Sequence, residues 1–285
     1  MPGDPSVDIP PSAAPPGTAD TPTGPRRALA SDGIAVAGNS EGGHNRSRAN
    51  GLVFMSLRDI GLFLRSARTD AAIGRARKRR GNAAAFEEAY ARGDPWGAGD
   101  PRYLYQRRKY QTLLGLLPQD RYERVLDIGS GLGHMARGLS ARATEVVGVD
   151  IAQGAVDQAR LLHADIPNLH FIQGDLLRLP EILDGGFDLI VLADTIYYLP
   201  PPIDAALLKM LAARVARLLR PGGMLVLCNH FFFSADRDSR LSRRIHDAFA
   251  WSPAWELAAH HRRPFYLVSF LTKSSAAAMA SVTAT

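Results

Sequence analysis

Three alternating glycines and four strand-end carboxylates hold the chemistry available to this chain. The run Val125-Leu126-Asp127-Ile128-Gly129-Ser130-Gly131-Leu132-Gly133 reads as a short buried strand entering a turn with glycine at every second position. Without Cβ atoms, such a turn lets backbone N–H groups approach a ligand closely. A dinucleotide fingerprint needs Gly-x-Gly-x-x-Gly, and its third glycine would fall at His134. The spacing here is Gly-x-Gly-x-Gly, which argues against a nicotinamide-dependent dehydrogenase. Three further apolar segments also end in an acid, at Asp150, Asp175 and Asp194. Asp150 lies 17 residues beyond Gly133, where a carboxylate accepts hydrogen bonds from ribose hydroxyls; Ile151 is then placed against a purine face. Its other reading is a helix N-cap. Asp175, after Gly174 and before Leu176, either accepts from an adenine amino group or is a turn aspartate. Asp194 stands with Thr195 at the mouth of the fourth strand.

The elements that must position these residues alternate in the βαβ manner from Arg124 onward. Strands are expected at 124–128, 145–149, 169–172, 187–193 and 223–229, and helices at about 132–141, 152–163, 203–219 and 239–250. Two more strands, at about 255–261 and 265–272, are joined by a link that suits an antiparallel hairpin and is too short for a crossover. The fold class is α/β: a Rossmann-like, seven-stranded sheet, mostly parallel with a C-terminal antiparallel hairpin, and helices on both faces. Open sheets of this kind bind ligands at the C-terminal edge of their strands. Upstream, helices are expected at 52–80, with Leu57, Ile60, Phe63 and Leu64 on one face, and around 83–91 and 103–117.

The glycine turn and the ordered strand-end acids resemble the class I methyltransferases that use S-adenosylmethionine (SAM). More narrowly, residues 94–272 resemble the NodS-like methyltransferases, whose namesake N-methylates an amino-sugar oligosaccharide. That likeness rests on Asp94-Pro95-Trp96-Gly97, Gln106-Arg107-Arg108-Lys109-Tyr110 and Asp194-Thr195-Ile196-Tyr197-Tyr198-Leu199. It implies SAM as cofactor, with Gly129, Ser130, Gly131 and Gly133 facing the methionyl moiety and Asp127 helping to hold its positive end. Ile151, Gly174, Asp175, Leu176 and Thr195 complete the expected donor site. Arg108 either grips the methionyl carboxylate, as an arginine fork suits, or is a surface arginine. An N-terminal helical lid is implied as well. The acceptor is expected to be a small molecule, an amine or amino sugar in the first instance; an O-methyltransferase of a natural product or glycoside is the alternative, and a non-catalytic SAM-binding scaffold a further one. Asp194 would orient or deprotonate the acceptor, helped by Tyr197, Tyr198 or His230. Trp96 is either a pocket wall, stacking on a cation, or an anchor for the lid.

Composition narrows the partners. The formal charge of +6 is unevenly placed: residues 52–80 carry eight Lys/Arg against two Asp, whereas residues 94–285 carry 21 against 19 acids. A nucleic-acid groove would put its basic excess beside the active site, and the Asp/Asn-Pro-Pro-Tyr run of amino-directed nucleic-acid methyltransferases is absent, so no nucleic acid is expected. The run 75–80 either touches an anionic membrane surface or, as the favoured reading, is a solvated helix end. No apolar run reaches the roughly 18 residues of a membrane span. No His/Asp/Glu cluster shows metal-ligand spacing. The single Cys228 sits in an apolar strand and fits inert packing in a reducing compartment, so a cytoplasmic location is expected. Residues 1–50, with eight prolines in the first 25 positions, and 274–285 are expected to be disordered tails flanking a helical extension (51–118) and the SAM-dependent domain (119–273). Arg26-Arg27 lacks the apolar core of an export signal, and Met55 is an alternative start.

Overall fold

The structure is a computed structural model that describes residues 57–232 and 236–275. Helices α1 (Leu57–Arg80), α2 (Asn82–Tyr90) and α3 (Leu104–Leu116) precede an alternating series. This runs β1 (Tyr122–Ile128), α4 (His134–Ser140), β2 (Ala143–Asp150), α5 (Gln153–Leu162), β3 (Leu169–Gln173) and β4 (Phe187–Ala193). It continues through α6 (Ala205–Leu218), β5 (Leu219–His230), α7 (Arg237–Ala250), β6 (Trp255–Arg263) and β7 (Tyr266–Lys273). The seven strands form one sheet in the order β3-β2-β1-β4-β5-β7-β6. β1 to β5 are parallel, and β7 runs antiparallel to both β5 and β6. This is the Rossmann-like sheet the sequence predicts, with Pro264-Phe265 as the hairpin link.

The parallel strands are near-continuous Val/Ile/Leu runs, the pattern of strands buried on both faces; Val125, Leu126, Ile190, Val191 and Leu227 are all fully buried. The strand order reverses between β1 and β4, so a crevice opens at their carboxyl ends. Helix starts near this edge are fixed locally. Asp204 accepts from the Leu207 amide at 2.9 Å to begin α6, and Asp236 from the Ser239 amide at 2.7 Å to begin α7.

A second, smaller core lies beside the main one. Ile73 and Ala76 of α1 join Ala85, Phe86 and Tyr90 of α2 against Leu132, Ala152 and Ala155. Of the apolar face expected for α1, Ile60 and Leu64 are about half exposed, whereas Ile73 and Ala76 further along the helix are buried. There Ile73 and Ala76 pack into the cluster that includes Leu132 of the glycine turn. The expectations for 1–50, Met55, the helix start at 52–56 and residues 276–285 fall outside the described residues. Among those that are described, no helix is long and apolar enough to cross a membrane.

Candidate active site

The carboxyl ends of β1, β2, β4 and β5 open into a cavity of about 630 Å³, lined on its other side by residues of α1, α2 and α3. The turn after β1 uses its glycines for left-handed backbone, with φ of 74° at Gly129 and 53° at Gly131. Asp150 ties that turn down. Its Oδ2 accepts from the Gly131 amide at 2.9 Å and its Oδ1 from the Ala152 amide at 3.0 Å. Burial raises the Asp150 pKa, opposed by these backbone bonds. Asp150 thus ties the glycine turn to the approach to α5, whose N-cap is Ala152 and not Asp150, and it also lines the cavity.

At the other end of the cavity, Asp194 follows β4 with φ 55°, a conformation that costs a non-glycine residue roughly 1–2 kcal/mol and is characteristic of functional sites. Its Oδ1 accepts from the His230 amide at 3.0 Å, and its Oδ2 is paired with the Lys109 ammonium. The Tyr197 hydroxyl also donates to it. Burial alone would raise the Asp194 pKa, but the charges of Lys109 and His230 and the bonds from Lys109 and Tyr197 hold it below the usual carboxylate value. Next to this group stands a second carboxylate, Asp70 of α1. Its Oδ1 accepts from the Tyr198 hydroxyl at 2.6 Å and from Trp96 Nε1 at 2.8 Å. Burial raises the Asp70 pKa in spite of both bonds. Aromatic rings wall the space: Tyr197 and Tyr198 lie 4.5 Å apart between centroids, Tyr197 and His230 4.5 Å, and Trp96 and Tyr198 5.8 Å.

Residues 125–223 match the family model described as a methyltransferase domain. The chain carries a class I methyltransferase domain. Over 121 residues it is 35% identical to the demethylmenaquinone methyltransferase of Beutenbergia cavernae, covering 42% of this chain and 45% of that protein. Over 117 residues it is 31% identical to the trans-aconitate 2-methyltransferase of Deinococcus radiodurans, covering 41% and 42%. The chain spans less than half the length of these curated relatives. Among solved structures, the N-methyltransferase NodS of Bradyrhizobium japonicum, in complex with S-adenosylhomocysteine (SAH), shares the fold at a TM-score of 0.55 and 20% identity. That superposition covers 68% of this chain and all of that one.

A methyltransferase domain of this class takes its methyl group from SAM, and the cavity fits that cofactor. Ser130 Oγ, His134 Nε2 and Gln106 Oε1 line it as buried polar atoms without a hydrogen-bond partner, and such atoms are costly unless a ligand satisfies them. Gly129, Gly131, Ile151, Gly174, Asp175, Leu176 and Thr195 line the same space. Asp175 Oδ1 meanwhile accepts from the Leu177 amide at 3.0 Å. Trp96, Tyr197, Tyr198 and His230 are brought together at the Asp194 end of the cavity.

Three expected donor-site residues do not line the cavity of the methyltransferase domain. Arg108 is replaced there by Lys109: α3 turns about 100° per residue, and the buried face of that turn belongs to the lysine. Gly133 starts α4 with φ 78°, packed where a Cβ would strike Phe171 and His163. Asp127 points away because strand side chains alternate; Ile128 takes the cavity side, and the Asp127 carboxylate accepts from the Ala136 amide of α4. Burial, and secondarily the charge of Asp150, push the Asp127 pKa from 3.8 up to about 7. An acid whose folded pKa is raised binds its proton more tightly when folded, so stability should fall as pH climbs from about 4 to 7 and then level off. Urea titrations across that range should show this slope in the native protein and a flatter one in Asp127→Asn. An unchanged slope would mean that another group sets it.

Asp70, Lys109 and Arg77 were not expected at the site. The basic helix, expected as part of an N-terminal extension and lid but outside the core of the family resemblance, lies along the cavity. Residues 70, 73, 74 and 77 follow the i, i+3, i+4, i+7 spacing of one helix face, and all four line it. That stripe, with Asp70 as its acid, is the signal by which the sequence could have shown it.

Proposed function

We propose that the protein transfers the methyl group of SAM to a small-molecule amine, in the manner of the NodS-like N-methyltransferases. The charge of the cavity carries this reading. Asp70, Asp94, Asp150, Asp175, Asp194 and Asp238 line it against only Arg77 and Lys109, and Lys109 is committed to Asp194. An acidic, aromatic-walled chamber favours an ammonium and disfavours a polyanion such as nucleic acid. O-methylation is the second reading, because relatives such as a ubiquinone biosynthesis O-methyltransferase, 27% identical over 145 residues, are named for that chemistry.

When bound, SAM supplies a methyl group on a sulfonium centre. The chain's own work is alignment, exclusion of water and proton handling. Asp150 and Asp175 would accept from the nucleoside, and α1 shields the chamber from solvent. Asp194 is a positioning group: its anchored, low-pKa carboxylate fixes Tyr197 and the His230 backbone and is a poor base. Asp70 is the better proton acceptor for an ammonium losing its proton on attack. Its pKa is raised, and both of its hydrogen bonds fall on Oδ1, leaving Oδ2 to face the acceptor.

The test is transfer from methyl-labelled SAM to matched primary amines, amino sugars and alcohols. Labelled N-methyl products are expected, together with thermal stabilisation by SAH. Label found only on hydroxyl or carboxylate oxygens would overturn the amine assignment, and the absence of any SAH effect would overturn the cofactor.

A further inference from the structure

Arg77 is a cation in the cavity without a counter-ion. It lines the chamber from the C-terminal part of α1, half-buried, and one Nη2 donor goes to the Leu199 carbonyl. A guanidinium has five donors, and among the described residues no carboxylate pairs with this one. Its burial lowers its pKa, the mark of a charge short of solvation. Two more deeply buried arginines do have an acid: Arg214 pairs with Asp184, and Arg124 with Glu145. Asp194 is already paired with Lys109, and Asp70, whose Oδ1 accepts from Tyr198 and Trp96, forms no ion pair with Arg77.

The position of Arg77 gives this vacancy a meaning. It lies two helical turns beyond Asp70 on the same face of α1, about 10 Å further along the axis. One face of one helix thus presents an acid, an apolar step at Ile73 and Gly74, and then a base. Leu199, whose carbonyl accepts from Arg77, lines the chamber beside it.

We propose that Arg77 is a specificity-determining residue that binds an anionic group on the acceptor, which is therefore an amine that also carries a carboxylate or phosphate several ångströms from its reacting nitrogen. This rests on the amine reading above and deepens it. The ammonium meets Asp70 and the aromatic wall; the acid meets the fork of Arg77, which suits either oxyanion.

The experiment uses the full chain saturated with SAH and follows thermal stabilisation by defined probes. Glucosamine 6-phosphate is compared with glucosamine and with glucose 6-phosphate, and 6-aminohexanoate with hexylamine. Probes bearing both charges should bind roughly ten-fold more tightly than those bearing one, and whichever pair shows the larger gain tells phosphate from carboxylate. Arg77→Gln should erase that gain while leaving SAH stabilisation intact, and Arg77→Lys should keep part of it. Equal binding of the one-charge amines and the two-charge probes, or a gain that survives in Arg77→Gln, overturns the assignment to Arg77. If no amine binds while SAH still does, the amine reading falls and takes this inference with it.

Discussion

Lys109→Met is expected to destabilise the protein by about 3–5 kcal/mol, because it strands the Asp194 carboxylate in the site without its cation. Lys109 is almost wholly buried and Asp194 largely so; neither charge can recover its hydration by a small rearrangement. Asp194→Asn should cost a similar amount by leaving the ammonium unpaired. The double variant should regain more than half of either loss, since the penalty lies in the orphaned charge and not in the missing attraction. Urea midpoints at constant m-value would measure all three; additive losses would show that the two groups do not act as a pair. Acid behaviour supplies an independent check. The Asp194 pKa is depressed, so its contribution is present above 3.8 and is lost as pH falls below that value. The Lys109 pKa is raised, burial working against it and the charge of Asp194 prevailing, so its contribution is lost only as pH climbs beyond 10.5. Methyl transfer should fall by about 100-fold in either single variant, the scale of loss for a misplacement near 1 Å, because Asp194 also sets Tyr197 and the His230 backbone. SAH affinity should change far less.

What could be read from the sequence and what could not divide along a physical line. Each strand announces itself by a local run, and the acid or glycine that ends it follows within one or two residues. Asp150, Asp175 and Asp194 were therefore placed at the sheet edge without knowledge of packing. Facing is harder. Asp127 and Ile128 differ only in which side of β1 they occupy, and the alternation cannot be phased until the neighbouring helix is known. Arg108 and Lys109 pose the same problem on a helix: adjacent cations lie about 100° apart, and only docking decides which one is buried. Helix α1 lies beyond both cases. Its strongest apolar periodicity is in its N-terminal half, whereas its hydrogen bonds into the site come from Asp70 and Arg77. They depend on Trp96, Tyr198 and Leu199, residues 20 or more positions away, and no short window of sequence contains both sides.

Two glycines of the same turn should fail in different ways when each is changed to alanine. At Gly131, φ is 53° and an added Cβ would lie 2.6 Å from the Tyr90 hydroxyl. That hydroxyl ends a side chain of α2, so the lid can move away at the expense of the cavity. Gly131→Ala should remain folded, losing roughly 1–2 kcal/mol for the left-handed backbone, while SAH affinity falls at least about ten-fold as the cradle opens. At Gly133, φ is 78° and the Cβ would meet the Phe171 ring and, at 2.9 Å, His163 Cδ2. Those two rings stack at 5.8 Å and are buried to within a few per cent, so neither can yield. Gly133→Ala should lose about 3–5 kcal/mol, a steric clash in a packed core adding to the backbone strain. Thermal denaturation with and without SAH separates the cases: lowered SAH affinity in a stable protein for Gly131→Ala, and a lowered melting temperature with SAH affinity per folded molecule preserved for Gly133→Ala. If Gly133→Ala instead melted normally and failed to bind SAH, the third glycine would belong to the cofactor cradle after all, and the turn would work as the spacing of its residues first implies.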